Sequence, residues 1–316
     1  MPRVPQGQRG VAITGWGTAL PDKVVTNDDL AATMDTSDEW ITERTGIRQR
    51  HVGGTTSELA TEAGRAAIEQ SGVDPASIEL VLLATTTPDQ AVPGTSPTVQ
   101  KNLGLTCGAI DVNAACSGFV YGLALANGII ASGANKVLLI GAETLSRITD
   151  WNDRGTAILF ADGAAAVVVE AVDGPGQLIS WDLDADGAAQ PYLYADVGDY
   201  LKMDGREVFR RAVRLMVDSA SKALEAAEVA PDDIALMVPH QANIRIIDAA
   251  CQRLGIPIER TATNIDRYGN TSAASIPLAL AEALEEGRVA DGDLVLLVGF
   301  GAGMTAASAV LRWSSR

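Results

Sequence analysis

The chain repeats itself, and that repetition constrains its fold more than any single motif does. Residues 58–83 read as a helix, a turn at Val73-Asp74-Pro75 and the strand Ile78-Glu79-Leu80-Val81-Leu82-Leu83. Residues 214–239 read the same way, through Val229-Ala230-Pro231 to Ile234-Ala235-Leu236-Met237-Val238, 156 positions further on (229−73). Leu103-Gly104-Leu105 is then answered by Leu254-Gly255-Ile256. Lys136-Val137-Leu138-Leu139-Ile140-Gly141 is answered by Leu294-Val295-Leu296-Leu297-Val298-Gly299, 158 positions on (295−137). Generic α/β character produces one such match; three in order indicate a duplication. Each half alternates helical segments with short β-branched runs that lack polar alternation, the pattern of strands covered on both faces in a mostly parallel sheet. The predicted fold class is α/β: two halves, 1–173 and 174–316, forming an α/β/α/β/α body about a pseudo-twofold axis. Residues 16–57 do not repeat and are expected to form a loop-rich cap. The Gly- and Asp-rich stretch from about 174 to 205 is expected to hold the join and an insertion.

Composition sets the rest of the frame. Hydrophobic residues make up 47% of 316 but aromatics only 4%, so the core must be built from Ala, Val, Leu and Ile, packed closely with the help of 31 glycines. No apolar run reaches the roughly eighteen residues of a membrane span. Met1 to Gly10 is polar, lacks the apolar stretch of a signal peptide and is expected to be disordered. Three scattered cysteines make no disulfide framework, and a cytoplasmic location is the expectation. A net charge of −16 argues against nucleic acid. It also means that an anionic partner must find a local basic patch. Lys202, Arg206, Arg210 and Arg214 recur every four residues across Met203–Val217 and would line one stripe of a helix; the plain alternative is a solvated face.

The duplication also indicates where chemistry should sit. In the first half, the segment before the central helix ends at Cys116; in the second it ends at Asn270. Both precede Ala-rich stretches, Ser117–Ser132 and Thr271–Leu284, and pseudo-symmetry would bring the two helix starts together. His240, one of only two histidines, follows the apolar run Ile234–Val238, and a strand tip is where an α/β fold opens toward a ligand. A thiol at a helix N-terminus is expected to have a lowered pKa. Cys107 and Cys251 are read as core residues and His51 as a surface histidine. Cys, His and Asn together suit acyl transfer through a thioester. The thiolate would take the acyl group, while neutral His and Asn side chains donate to a second thioester's carbonyl and stabilise the enolate left by loss of carbon dioxide. The loop Gly299-Phe300-Gly301-Ala302-Gly303 would offer backbone N–H groups to the acyl oxygen. Buried packing remains the alternative for each residue taken singly.

Asn113-Ala114-Ala115-Cys116-Ser117-Gly118-Phe119, Pro239-His240-Gln241-Ala242-Asn243 and Tyr268-Gly269-Asn270-Thr271-Ser272 resemble the β-ketoacyl-acyl-carrier-protein synthase III family of the thiolase superfamily. Asp38-Glu39-Trp40-Ile41, Arg44-Thr45-Gly46-Ile47 and Asp153-Arg154-Gly155-Thr156 are further family-like phrases, and the similarity runs from about Gly10 to Trp313. The resemblance implies a thiolase-like fold and a homodimeric condensing enzyme. Acyl-coenzyme A, a substrate rather than a cofactor, would load Cys116; malonyl-acyl carrier protein would then be decarboxylated and condensed. No metal is implied. Trp40 and Arg154 would sandwich the adenine of coenzyme A, and Thr36 and Arg245 would meet its phosphate end. Asn243 and Phe209 would flank the pantetheine channel, with Phe300 among the substrate contacts. Val92 stands where the family tunes acyl-chain fit, and its small size hints at room beyond acetyl. The carrier protein would dock on Gln241, Ala242, Asn243, Ile244 and Arg245, helped by Arg210 and Arg253. The oxyanion hole would be the N–H groups of Cys116 and Ala302, the latter an alanine where the family often has glycine. Two alternatives stand beside this: a secondary-metabolite ketosynthase with the same three residues, and an acyltransferase or carrier-binding scaffold that makes no carbon–carbon bond.

Overall fold

In the structure, a computed structural model that describes residues 9–314, the chain runs first through β1 (Gly10–Ala19), β2 (Val24–Thr26), α1 (Asn27–Ala31), α2 (Asp38–Thr45), β3 (Gln49–His51), α3 (Thr56–Ser71) and β4 (Leu80–Ala84). There follow α4 (Ser96–Asn102), β5 (Gly108–Val112), α5 (Gly118–Ala131), β6 (Lys136–Thr144), α6 (Arg154–Ala157) and β7 (Asp162–Val172). The remainder supplies β8 (Leu178–Ala185), β9 (Leu193–Tyr194), β10 (Lys202–Met203), α7 (Gly205–Ala227), β11 (Ile234–Pro239), α8 (Ile244–Leu254), α9 (Ile265–Tyr268), α10 (Ser275–Glu285), β12 (Leu294–Gly301) and β13 (Thr305–Arg312). Residues 1–8, expected to be disordered, lie outside the described residues. Among those described, no helix is long and apolar enough to cross a membrane.

The repeat shows in the turns. A capping box of Thr55 and Glu58 starts α3, which stops at left-handed Gly72, φ 69°. Asp204 caps α7, which stops at left-handed Glu228, φ 58°; a side chain there costs about 1 kcal/mol. Each stop leads through a proline-initiated turn, Pro75–Ser77 or Pro231–Asp233, into a buried strand, β4 or β11.

Alternate residues of these strands face opposite layers. Val81, Leu83, Leu138 and Ile140 pack on α3 through Leu59, Ala60, Ala63 and Ala67. Leu82 and Leu139 turn the other way, onto Phe119, Val120 and Leu123 of α5. From the second sheet, Val295 and Leu297 join that same central layer, together with Ile276, Ala279 and Leu280 of α10. Leu296 and Val298 face outward to α7 and α8. The result is five layers, α/β/α/β/α, with α5 and α10 in the middle. Because sheets cover it on both sides, α5 (GFVYGLALANGIIA) is apolar nearly all round.

One expectation is refined and another corrected. The sheets are mostly parallel, with one reversed strand in each: in the order β1-β7-β6-β4-β5, β7 alone runs against the rest, antiparallel to its neighbours β6 and β1. In β11-β12-β13-β8 the reversed strand is β13, antiparallel to β12 and β8. The tight turn between β12 and β13 needs no crossover helix, so those neighbours run antiparallel. The cap is also shorter than expected, because Gly10–Ala19 forms β1 and pairs with β7 along its whole length. What remains between β1 and α3 is the small sheet of β2 and β3 with helices α1 and α2.

Candidate active site

At the start of each central helix the chain makes the same elbow. Ala115 and Ser272 both stand at φ 49°, 157 positions apart (272−115), and each opens a one-turn helix leading into α5 or α10. Asn113 Oδ1 accepts from the Ala115 N–H at 3.2 Å, as Asn270 Oδ1 accepts from the Ser272 N–H at 2.9 Å. The symmetry mate of Asn270 is therefore Asn113, and that of Cys116 is Ala273; the expected Cys116–Asn270 equivalence is three residues out of register. The elbows meet across the axis. Gly141 of β6 lies so close to the Ala273 carbonyl that a methyl group would overlap it, while its counterpart Gly299 in β12 backs onto the Cys116 carbonyl.

Cys116 sits in the turn ahead of α5, not at the first residue of that helix. Burial pushes its thiol up to about 12; a Ser272 hydrogen bond works against this and the charge of Glu143 adds to it. The lowered pKa expected from a helix start is not what the surroundings produce, because desolvation of the thiolate outweighs the favourable terms. At neutral pH the resting group is the thiol. Beside it β12 ends at Gly301, where a Cβ would lie 2.6 Å from the Cys116 nitrogen. The next residue, Ala302, starts a turn whose positive φ, 119°, falls on Gly303. Alanine at 302 is thus unstrained and keeps its N–H, and it lines a cavity together with Cys116.

His240 follows directly on β11, is 1% exposed, and donates its backbone N–H to Val298 O at 2.8 Å. Its ring is fixed from two sides. Phe300 meets it edge-on at 5.4 Å, and Nδ1 lies 2.6 Å from the Ser275 hydroxyl. That hydroxyl also accepts from the Gln241 N–H at 3.3 Å and has one proton that it can donate to Nδ1. In that tautomer the ring hydrogen sits on Nε2, as a donor. Burial pushes the imidazolium down to about 3, so the ring is neutral at physiological pH. Asn270, 5% exposed, is pinned through its backbone to Leu159 and Ala161, each at 2.9 Å. With Oδ1 given to Ser272, the end of its amide left for a ligand is Nδ2, again a donor.

One cavity of about 520 Å³ is lined by Cys116, His240, Asn270 and Phe300, and it opens past Phe209, Asn243, Arg245 and Trp40. A second, of about 450 Å³, begins at Cys116 and runs among Leu145, Ile148, Phe160, Leu193 and Leu201. The sulfur stands where a polar-mouthed channel meets an apolar one. At the mouth, Arg154 lies 4.8 Å and Arg44 4.6 Å from the Trp40 ring centroid. Trp40 and Arg154 are in contact with each other, so an adenine between them requires Arg154, 49% exposed and bonded to Asp35 O, to swing out. Asn243 caps α8 and donates to Arg44 O at 2.9 Å, and Arg245 lies over Phe209 at 5.8 Å.

Several expected contacts are not where sequence put them. Gln241 and Ala242 are 1% and 8% exposed, and Gln241 spends its amide on Pro239 O, Ala262 O and the Asn264 N–H. Neither offers a face to a docking protein; of that segment Ile244 is half-buried and Arg245 exposed. Lys202 lies in β10, ahead of α7, and is bonded to Asp199 at 2.6 Å. The helical stripe therefore reduces to Arg206, Arg210 and Arg214, of which Arg210 is tied to Glu207 and Arg206 lines the cavity mouth. Arg253 is exposed near the far end of α8. Thr36 stands outside both cavities, its hydroxyl buried without a hydrogen-bond partner among the described residues. Val92, 86% exposed, lines neither cavity. His51 is not a surface residue: it is half-buried, with Nδ1 2.6 Å from Pro21 O and its ring against Tyr268. Cys251 is buried, whereas Cys107 is only half-buried. Sequence reasoning missed Ser275, Ser272, Glu143 and Arg44. Ser275 and Ser272 carry a usable signal, since they follow Asn270 at the head of a helix.

The chain is similar to known proteins along nearly its whole length. Residues 110–187 match the family 3-Oxoacyl-[acyl-carrier-protein (ACP)] synthase III, and residues 224–313 match 3-Oxoacyl-[acyl-carrier-protein (ACP)] synthase III C terminal. The chain is 51% identical over 318 residues to beta-ketoacyl-[acyl-carrier-protein] synthase III of Erythrobacter litoralis (strain HTCC2594), covering 96% of this chain and 99% of that protein. It is similar to the crystal structure of 3-oxoacyl-[acyl-carrier-protein] synthase III from Aquifex aeolicus VF5, with TM-score 0.94 and 45% identity over 96% of this chain and 100% of the other. The priming beta-ketosynthase from the R1128 polyketide biosynthetic pathway gives 0.93 and 36% over 99% of both chains.

Proposed function

The chain belongs to the 3-oxoacyl-[acyl-carrier-protein] synthase III family, and on that premise we propose that Cys116, His240 and Asn270 divide its reaction between them. The reaction is the decarboxylating condensation of an acyl starter with a malonyl thioester, the step that initiates fatty-acid synthesis. We assign acyl-coenzyme A as the donor and malonyl-acyl carrier protein as the acceptor. The observation that carries the assignment is the pair of cavities meeting at the Cys116 sulfur. A pantetheine arm suits the channel past Phe209 and Asn243, and an alkyl group suits the one lined by Leu145, Ile148 and Leu201.

In loading, the Cys116 sulfur attacks the thioester carbon, and the N–H groups of Cys116 and Ala302 receive the oxygen as it becomes negative. Coenzyme A leaves and the malonyl thioester takes the same channel. His240 Nε2–H and Asn270 Nδ2–H donate to its carbonyl oxygen. The bond to the carboxylate breaks, the electron pair passes into an enolate held by these two neutral donors, and the enolate carbon attacks the acyl group on Cys116. Neutral donors suit this step, because a buried imidazolium would have to be charged against its desolvation. The experiment is release of labelled carbon dioxide from malonyl-carrier together with formation of the 3-oxoacyl product; carbon dioxide release that survives loss of both donors would refute the division of labour.

For the acidic carrier, Arg245 is an exposed cation at the channel mouth, beside Arg206 and Arg44. Arg245→Glu is expected to raise the KM for malonyl-carrier roughly tenfold while kcat changes little, since a rim charge acts on encounter. An unchanged KM would remove Arg245 from the docking surface.

A homodimer is supported by β5. It is an edge strand, its Ile110 is 51% exposed, and its one carboxylate, Asp111, is turned to the N–H groups of Thr95 and Ser96. Nothing on that edge repels a second copy. Pairing of β5 with β5 would also carry the neighbouring Val92 loop against the partner, giving that exposed side chain a surface to meet. Ile110→Lys is therefore expected to sediment as a monomer; a persistent dimer would place the interface elsewhere.

A further inference from the structure

Each of the two donors assigned to the malonyl carbonyl has one polar end taken up at the head of α10. Ser272, in the one-turn helix that leads into α10, gives its N–H to Asn270 Oδ1 at 2.9 Å, which leaves Nδ2 for a ligand. Ser275, the first residue of α10, has its hydroxyl 2.6 Å from His240 Nδ1. Ser275 and His240 are each 1% exposed, so an unmade bond at either one is costly.

Proton accounting then separates the two tautomers. A hydroxyl has one proton and two lone pairs. Ser275 Oγ takes the Gln241 N–H at 3.3 Å, and among the described residues the hydroxyl has no hydrogen-bond partner besides Gln241 and His240. With the ring hydrogen on Nδ1, two donors would point at Oγ and the Ser275 proton would have no acceptor. With the hydrogen on Nε2, the Ser275 proton goes to the Nδ1 lone pair and every group is paired. A buried hydroxyl left unpaired biases the tautomers by roughly tenfold or more toward the second. Phe300, edge-on at 5.4 Å, holds the ring in that plane.

We propose that Ser275 is a positioning residue that makes His240 a hydrogen donor and bars it from acting as a base. The inference rests on His240 donating to the malonyl carbonyl. In a Ser-His-Asp arrangement the carboxylate accepts from Nδ1–H, so Nε2 presents a lone pair that takes the nucleophile's proton. Here a hydroxyl stands in the carboxylate's place with the opposite polarity. It gives its proton to Nδ1, so Nε2 carries the ring hydrogen and has no lone pair for the Cys116 proton. That hydrogen is what the developing enolate oxygen requires. A carboxylate at 275 would also favour the imidazolium, which burial here pushes down to about 3. The serine thereby separates the two half-reactions: loading runs without His240, and decarboxylation needs it in this one tautomer.

The tautomer can be read without any activity. The whole enzyme carrying 15N-labelled histidine has only two imidazoles, His51 and His240, and the signals lost in His240→Ala belong to the second. At pH 7 the His240 ring is expected to show its hydrogen on Nε2 and a lone pair on Nδ1. Ser275→Ala is expected to lose this bias and show both tautomers. It should load Cys116 within about twofold of the native rate and decarboxylate malonyl-carrier roughly tenfold more slowly. Ser275→Thr keeps the hydroxyl and is expected to restore the spectrum and most of the rate. Hydrogen on Nδ1 in the native enzyme, or an unchanged spectrum in Ser275→Ala, overturns the inference. So does loading that falls in step with decarboxylation, the mark of a merely structural serine. Decarboxylation that survives in His240→Ala overturns the underlying reading of His240 instead, whatever the spectrum shows.

Discussion

Cys116→Ser forms no acyl-enzyme. The substitution exchanges one second-row atom for a smaller first-row one in an unchanged elbow, so the fold and both cavities persist. Reactivity does not, because a serine hydroxyl in the same water-poor site is far harder to ionise than a thiol already pushed up to about 12. Loading from acyl-coenzyme A is expected to fall by at least about a thousandfold, the scale of losing a nucleophile. Intact mass after minutes of incubation reads it directly. Decarboxylation of malonyl-carrier should survive, since His240 and Asn270 do not act through the sulfur. An acyl adduct of native extent on the serine variant would mean that another residue carries the acyl group.

His240→Ala and Asn270→Ala divide the reaction at the other end. Each is expected to load Cys116 at close to the native rate and to lose decarboxylation by about a hundredfold to a thousandfold, the cost of removing one donor to a developing oxyanion. The two losses should not add, because both donors hold one oxygen. Asn270→Ala has a second consequence: it removes the acceptor for the Ser272 N–H and loosens the elbow. Asn270→Asp separates the effects, keeping an oxygen for Ser272 while losing the Nδ2 donor and adding a charge beside the enolate. It should load and fail to decarboxylate. Full condensation by Asn270→Ala would show that the amide is not a donor to the substrate.

The layer order was legible in the sequence because it follows from duplication and from apolar runs that need cover on both faces. The strand tip bearing His240 and the two helix starts were legible for the same reason. Their register was not. Nothing in Ala114-Ala115-Cys116 or Asn270-Thr271-Ser272 says which residue takes φ 49°, and only that torsion aligns Asn113 with Asn270. Strand direction was hidden too, since β7 and β13 are as apolar as their parallel neighbours. Gln241 was placed on the docking segment by resemblance; its burial depends on three partners, two of them more than twenty residues away. Glu143 closes an apolar strand, where a carboxylate has no periodicity to announce it, and the threonines that hold it lie on another strand's end.

The central claim is that one sulfur and two neutral donors, meeting where two cavities join, perform acylation and decarboxylation in sequence. Its most direct test counts three quantities in one reaction of acyl-coenzyme A with carboxyl-labelled malonyl-carrier: acyl adduct, released carbon dioxide and 3-oxoacyl-carrier. The native enzyme is expected to release carbon dioxide and form product in equal amounts, and His240→Ala to accumulate the adduct while both stay near background. Adduct formation by the native enzyme with no carbon dioxide and no product, or unchanged release by His240→Ala, would contradict the account.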